Sequence, residues 1–123
     1  MYKMPPPSHS VMCYVSGAIS PTKECPDVEK NIEDAWVVGK RLWLKGYTAI
    51  IPHLNTKFTM EEAGNYNGLY DSLIAGDCEI IKRCDFVYMM RNFRYSRGAL
   101  LELAFAIQNN IPAVYEDMEY QGR

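Results

Sequence analysis

The order of apolar and polar residues along the chain predicts an alternation of strands and helices. Short apolar runs of the kind that form buried strands occur at 11–16, 47–51, 85–90 and 111–116. Apolar residues recur at helical spacing in the three intervening segments, 26–45, 70–84 and 96–110. Strands that alternate with helices form parallel sheets with helices on both faces. We therefore expect an α/β fold of the flavodoxin or Rossmann type, with three layers and four to five parallel strands.

The two ends of the chain and one internal segment do not fit this alternation. Residues 1–10 include three consecutive prolines and indicate an extended lead-in, and 117–123 form a short polar tail. Residues 55–65 are polar and mixed, which favours a loop. No internal repeat or change of composition divides the sequence, so we expect a single domain over 1–123.

Composition and charge exclude several classes of partner. Apolar residues make up 48% of the chain and charged residues 23%, which is ordinary for a globular protein. The net charge of −2 predicts neither a nucleic-acid polymer nor an acidic membrane as partner. No apolar run approaches the roughly 20 residues of a transmembrane helix. The N-terminal residues lack the apolar core of a signal peptide, so we expect a cytoplasmic location.

The cysteines and histidines do not have the spacing of a metal site. The four cysteines form no CxxC pair and the chain has only two histidines, so we expect no metal and no cofactor. We interpret all four cysteines as reduced. Cys13 and Cys84 are expected to fill the core, whereas Cys25 and Cys78 have no assigned place.

A single carboxylate interrupts the most apolar of the predicted helices. In ALLELAFAI, which spans 99–107, Glu102 is the one residue that is not apolar. Its neighbours at helical spacing include the small residues Gly98, Ala99 and Ala106, which leave space beside it. An unpartnered buried charge is costly. Glu102 therefore either lies on a thin solvent-facing stripe or has a function.

The predicted topology places a candidate site next to Glu102. Ligands of parallel sheets bind beyond the carboxyl ends of the strands. Polar and small residues at these ends are Ser16 to Ser20 after the first strand, His53 and Asn55 after the second, and Arg91 to Ser96 after the third. Glu102 lies about two turns inside the helix that begins at this edge. This position favours a functional carboxylate over a solvent-facing one.

Three segments of the chain resemble the nucleoside 2-deoxyribosyltransferase superfamily. YVSGAIS is a strand and glycine turn that begins with Tyr14, Asp77 is followed eight residues later by Asp85, and SRGALLE has the spacing Ser-x-Gly-x-x-x-Glu. The resemblance covers about residues 11–116. It implies that Glu102 attacks C1′ of a sugar or stabilises the positive charge that develops there. It also implies that Asp77 handles the proton of the departing base and that Tyr14 orients Glu102.

Ser96 makes the chain closest in motif to the 2′-deoxynucleoside 5′-phosphate N-hydrolases of that superfamily. They have Ser at this position, whereas transferases of free nucleosides have Asp, which would repel a phosphate. A Ser at a helix N-terminus lies beside free N–H groups that can bind an anion. The substrate-binding residues implied in this way are Gly17, Ala18, Ile19, Ser20, His53, Ser96, Gly98 and Arg91. The hydrolases have Ser where this chain has Ala18, so one phosphate donor is missing.

Some assignments remain open from the sequence. His53 either contacts the base or phosphate, or is a loop histidine bonded to backbone. Of Arg91, Arg94 and Arg97, we expect at most one to touch a ligand. Asp85 is expected to be structural, and Asp71 is a second candidate for the acid. The stretch from Phe93 to Ala99 also resembles short uncharacterised bacterial and phage members of the superfamily.

We therefore expect an N-glycosidase that hydrolyses the base–sugar bond of a nucleoside or deoxynucleoside 5′-monophosphate. A nucleoside 2-deoxyribosyltransferase that exchanges bases is the alternative within the same chemistry. A nucleotide-binding protein without turnover is the alternative outside it, since a fold can persist without its activity. The expected partners are a small nucleotide or nucleoside and further copies of the chain, as a homodimer or higher homo-oligomer. Related sites are completed by a neighbouring subunit.

Overall fold

The computed structural model describes residues 2–55 and 68–121. The strands are β1 (Met12–Ser16), β2 (Thr48–Ile50), β3 (Phe86–Met89) and β4 (Ala113–Tyr115). The helices are α1 (Val28–Lys45), α2 (Pro52–Asn55), α3 (Leu69–Lys82), α4 (Arg97–Gln108) and α5 (Glu116–Gln121), with a 3-10 turn at Phe93–Tyr95. Apart from Asn55, which ends α2, the predicted loop over 55–65 lies outside the described residues.

The strands form one parallel sheet in the order β2-β1-β3-β4, so the predicted α/β, Rossmann-like fold is confirmed with four strands in the described part of the chain. The chain moves from β1 to β2 on one side and then crosses to β3 on the other. The strand order therefore reverses at β1 and β3. Their carboxyl ends form the switch point at which open α/β sheets bind ligands.

Helices cover both faces of the sheet. Because side chains alternate along a strand, Cys13 and Val15 of β1 pack on the side of α1, whereas Tyr14 packs on the side of α3 and α4. Cys13 and Cys84 are buried and unpaired, as predicted. α1 ends at Gly46, whose φ of 107° is in the left-handed region that favours glycine.

The N-terminal lead-in is extended and packs on the domain. The Tyr47 hydroxyl donates to the backbone carbonyl of Pro5, and Met4 packs against the core on the α1 side. The ring of Tyr2 contacts that of Phe86. The lead-in therefore covers part of the sheet face that α1 leaves open.

The C-terminal end differs from the prediction of a polar tail, because residues 116–121 are helical. Glu116, 5% exposed, starts this helix and accepts hydrogen bonds of 2.8 Å from the Arg41 guanidinium and from the backbone N–H of Arg91. These partners, which are distant in sequence, fix the start of α5. The polar residues themselves do not indicate such contacts, so the sequence did not predict this helix. Within the described residues, no helix is long and apolar enough to cross a membrane.

Candidate functional site

A cavity of about 140 Å³ lies at the predicted edge of the sheet. Its walls come from the loop after β1, from α2, from α3 and from the first two turns of α4. One water needs only about 10–15 Å³ of such space, so the cavity has room for a larger ligand. Eight of the predicted site residues line it: Gly17, Ile19, Ser20, His53, Asp77, Ser96, Gly98 and Glu102.

Glu102 is buried and hydrogen-bonded through both carboxylate oxygens. Glu102 is 7% exposed, which excludes the solvent-facing stripe. Tyr14 donates its hydroxyl proton to Oε2 at 2.7 Å, and Ser16 donates to Oε1 at 2.7 Å. The contact between Tyr14 and Glu102 that the resemblance implies is therefore present. The two donors fix the plane of the carboxylate beside the cavity.

Burial changes the titration of both carboxyl groups. Burial raises the pKa of Glu102 to about 7, against the opposing hydrogen bonds from Ser16 and Tyr14, and the nearby Asp77 adds to the rise. Burial also raises the pKa of Asp77 above its usual value, again opposed by Tyr14 and Glu102. The two groups are close enough to titrate as a pair. The pKa of Tyr14 is raised, first by burial, so its hydroxyl remains a donor.

The start of α4 has the chemistry of an anion site. Ser96 is the N-cap, and its Oγ accepts a 3.1 Å hydrogen bond from the N–H of Ala99. Accepting this bond leaves the hydroxyl proton of Ser96 available as a donor. The first N–H groups of a helix have no partner within it. Arg97 and Gly98 border the cavity at this point.

The loop after β1 is fixed by side chains from three other parts of the chain: α1, α2 and the turn after β3. Asn92 accepts from the N–H of Ala18 at 3.0 Å, the His53 ring lies 3.2 Å from the carbonyl of Ala18, and Asn31 donates to the carbonyl of Ile19 at 3.2 Å. Ala18 is fully buried and does not border the cavity, so its predicted role in substrate binding is not supported by its position. Its N–H is occupied by Asn92.

His53 is both bonded to backbone and part of the cavity wall, so the structure combines features of its two interpretations. A carbonyl only accepts, so Nε2 carries the proton in the contact with Ala18. Nδ1 has no hydrogen-bond partner among the described residues. Burial lowers the pKa of His53, which favours the neutral ring. The ring lies on the short helix α2 rather than in a loop.

The arginine that borders the cavity is Arg97, not Arg91. The backbone N–H of Arg91 donates to Glu116, and its guanidinium pairs with Glu116 and Asp117 at 3.7 and 3.6 Å. Arg94 lies over the ring of Phe93 and pairs with Asp117 at 3.5 Å. The predicted position of Arg91 in the site is therefore not found, because the acidic start of α5 holds it elsewhere.

With this geometry described, comparison with known proteins identifies the family. A protein-family model described as a domain of unknown function, DUF4406, matches residues 11–115. The chain belongs to the DUF4406 family. No curated protein and no solved structure matches the chain. The match extends from just before β1 to the end of β4 and includes every residue that borders the cavity.

Three polar residues of this DUF4406 domain take part in the site without having been given a role from the sequence. Ser16 holds Glu102, while Asn31 and Asn92 hold the loop after β1. Ser16 was visible as a polar residue at the carboxyl end of a strand. Asn31 lies on the buried side of α1, where an amide among apolar neighbours is itself a signal.

The two other acidic residues considered from the sequence, Asp85 and Asp71, do not border the cavity. Asp85 accepts from the N–H of Met12 at 2.8 Å, and its own N–H donates to the carbonyl of Met12 at 2.7 Å. Asp85 thus joins β1 to β3, which confirms its structural role. Asp71 is exposed and does not border the cavity. The described residues contain no cluster of three or more His, Cys, Asp or Glu able to hold a metal ion.

Proposed function

We propose that this DUF4406 protein is an N-glycosidase that hydrolyses the base–sugar bond of a nucleoside or deoxynucleoside 5′-monophosphate. The observation that supports this most is the state of Glu102, which is buried, held through both oxygens and next to a second carboxyl group in one cavity. Cleavage of a glycosidic bond proceeds through an oxocarbenium-like state and commonly uses two carboxyl groups.

Glu102 is the group that acts on the sugar. An ionised carboxylate fixed at C1′ stabilises the developing positive charge or adds to C1′ as a covalent ester. The hydrogen bonds from Tyr14 and Ser16 set its orientation before substrate binds. A preorganised carboxylate avoids the cost of reorientation during the reaction.

Asp77 is the group that acts on the base. Its carboxyl proton passes to the base as the C1′–N bond breaks, and the electron pair of that bond leaves with the base. The Asp77 carboxylate then takes a proton from the attacking water, whose oxygen bonds to C1′. The products are free base and sugar 5-phosphate, and Glu102 and Asp77 return to their starting states.

The lining of the cavity includes groups suited to each end of a nucleotide. Pro52, Leu73 and Ile74 supply an apolar wall suited to a base. Ser96 and Arg97, with the free N–H groups of α4, supply donors suited to a 5′-phosphate. Glu102 and Asp77 belong to the same cavity as both groups.

A substrate panel tests the proposal. The pure protein is incubated with nucleosides and 5′-monophosphates of each common base, as ribo and deoxyribo forms, and free base is measured by chromatography. The proposal expects base release from a monophosphate in water alone, lost in Glu102→Gln. Base exchange that requires an added second base would support a transferase instead. Tight binding of a monophosphate without any release would support a non-catalytic nucleotide-binding protein.

We also propose that two copies associate through the outward face of α4. Leu100, Leu101 and Ile107 on this face are 45%, 45% and 62% exposed, and no charged residue lies between Gly98 and Gln108 except the buried Glu102. A two-fold interface places a patch against itself, so an uncharged patch avoids like-charge repulsion. Light scattering should report a dimer for wild type and a monomer for Ile107→Lys; a wild-type monomer would contradict this proposal.

A cytoplasmic location completes the proposal. All four cysteines are unpaired. Reducing compartments keep protein thiols in this state, whereas disulfides are common in secreted proteins of this size.

A further inference from the structure

We infer that Ser16 is a positioning residue that acts through its hydrogen bond to Glu102 and decides how the proton shared by Glu102 and Asp77 is divided between them. The effect on the two carboxyl groups rests on the hydrogen bond from Ser16 to Glu102 and does not depend on the proposed function. The catalytic consequence rests on the proposed function.

The side chain of Ser16 has one interaction, its hydrogen bond to Glu102, among those found in the described residues. Tyr14 and Ser16 are two positions apart on β1, so their side chains point to the same face of the sheet. Both are fully buried, and each donates to a different oxygen of Glu102 at 2.7 Å. A serine hydroxyl has one proton, so a Ser16 that donates to Glu102 has no second donor to give. Ser16 does not border the cavity, so it acts only through Glu102.

Ser16 differs from Tyr14 in which carboxyl groups it affects. Tyr14 interacts with both Glu102 and Asp77, so its removal changes both groups. Ser16 opposes the rise in the pKa of Glu102, whereas the causes that shift the pKa of Asp77 are burial, Tyr14 and Glu102. Removal of the Ser16 hydroxyl should therefore increase the fraction of the pair that has its proton on Glu102 and decrease the fraction that has it on Asp77.

The other titratable groups near Glu102 do not replace this donor. Cys78 on α3 has a pKa raised chiefly by burial and stays a neutral thiol. His53 on α2 has a pKa lowered by burial and stays neutral. Arg97 borders the cavity at the start of α4, on the side of the proposed phosphate site.

The expected effects follow from the strength of a hydrogen bond to a charged group. Loss of such a bond should raise the pKa of Glu102 by about one unit or more. The fraction of the pair with its proton on Asp77 then falls about tenfold or more. We expect kcat to fall by that factor in Ser16→Ala while KM changes little, because Ser16 does not contact the cavity.

The test is a titration of Glu102 that needs no activity. The side-chain carboxyl of Glu102 is followed by carbon NMR against pH in wild type, Ser16→Ala and Ser16→Thr, with Tyr14→Phe as the comparison that changes both carboxyl groups. We expect an upward shift of about one unit in Ser16→Ala and a return toward wild type in Ser16→Thr, which keeps the hydroxyl. Equal midpoints in wild type and Ser16→Ala would overturn the inference.

Two further arms keep the result decisive. Should Ser16→Ala unfold, Ser16→Cys against Ser16→Thr compares a weak donor with a strong one at similar side-chain size, and equal midpoints there would also overturn the inference. A shifted midpoint in a protein that releases no base would support the role of Ser16 and contradict the proposed glycosidase. Base release with an unshifted midpoint in Ser16→Ala would do the opposite.

Discussion

Tyr14 and Glu102 lie 88 positions apart in sequence and are joined by a buried hydrogen bond of 2.7 Å. The bond connects the central strand β1 to the helix α4, across the face of the sheet on which α3 and α4 pack. It exists because the sheet places the carboxyl end of β1 beside β3, from which the chain leads directly into α4. The fold thereby places a carboxylate at the switch point of the sheet.

The first prediction concerns the stability that Glu102 costs the fold. The pKa of Glu102 is about 7 in the folded protein, against a usual value of 4.5. Between these two pH values the folded protein keeps a proton on Glu102 that the unfolded chain has released. The free energy of unfolding contributed by Glu102 therefore falls as pH rises from 4.5 to 7. Glu102→Gln removes this titration and should be more stable than wild type at pH 8, by up to about 3 kcal/mol.

Thermal melts of both proteins at pH 4.5 and pH 8 check this prediction. The advantage of the variant should be larger at pH 8 and shrink toward pH 4.5. An advantage that is the same at both pH values would show that Glu102 titrates normally in the folded protein. A variant that is less stable at pH 8 would show that the charged form is favoured by its surroundings.

The second prediction concerns the pH dependence of the proposed reaction. The active form has Glu102 ionised and Asp77 protonated, and therefore carries one proton on the pair. The pair loses its last proton near pH 7, where Glu102 titrates. We expect kcat/KM to be bell-shaped with an alkaline limb near pH 7. The substrate phosphate titrates near pH 6 and therefore affects only the acid limb. The alkaline limb reports on the carboxyl pair alone.

Asp77→Asn is the control for this profile. It removes the acid and should leave a low residual rate that rises with pH as Glu102 ionises. A wild-type rate that continues to rise above pH 8 would mean that the reaction does not use the proton of Asp77.

The third prediction concerns the preference for a 5′-phosphate. Arg97 borders the cavity, whereas Arg91 is paired with Glu116 and Asp117. A hydrogen bond to a charged group contributes about 1.5–3 kcal/mol, so Arg97→Ala should lower kcat/KM for the monophosphate by about 10- to 100-fold. Arg91→Ala is the matched control and should change it little. Equal losses in the two variants would contradict the assignment.

Ser96→Asp tests the same end of the site by adding a charge. The carboxylate would repel the phosphate and should remove most of the preference for the monophosphate over the matching nucleoside, which we expect to be at least about a hundredfold in wild type. The nucleoside should be affected much less. A variant that keeps the wild-type ratio would place the phosphate elsewhere.

The fourth prediction concerns the close approach of the loop after β1 to the strand beside it. A Cβ on Gly17 would overlap Sδ of Met90 and lie 2.9 Å from Oδ1 of Asn92, whereas one on Gly76 would meet no atom of the described residues within 4 Å. Gly17→Ala should destabilise the protein by about 1–3 kcal/mol through overpacking. Gly76→Ala, the matched control in the exposed part of α3, should stabilise it by about 0.5–1 kcal/mol. Urea unfolding measures both, and equal effects would contradict the packing described at Gly17.

The sequence allowed prediction of those features that leave a local signal. The strands and the longer helices follow from apolar periodicity, and Glu102 was recognisable as a carboxylate without polar neighbours in a helix. Its partner Ser16 was recognisable only as a polar strand end, because the bond depends on β1 and α4 meeting in space. The sequence alone does not show toward which face of the sheet the side chain of Ser16 points.

Other features depend on distant partners that neither the local pattern nor the resemblance indicated. Arg91 and Arg97 are both arginines at the expected ligand-binding edge. Arg91 lies just after β3 and Arg97 is the first residue of α4, so the sequence gives no reason to prefer one of them. The buried Glu116 decides between them, because it accepts from the backbone of Arg91 and also pairs with Arg41. These contacts of Glu116 also fix the start of the helix formed by the polar residues after β4. No local pattern indicates an interaction over such a separation.

Release of free base from a 5′-monophosphate by wild type and Glu102→Gln, measured side by side near pH 6.5, tests the central claim most directly. Gln keeps the shape of Glu102 and two polar atoms but cannot carry its charge. We expect wild type to release base in water alone and the folded variant to be slower by orders of magnitude. Comparable release by the two proteins, or none by wild type with any nucleotide of the panel, would contradict the account.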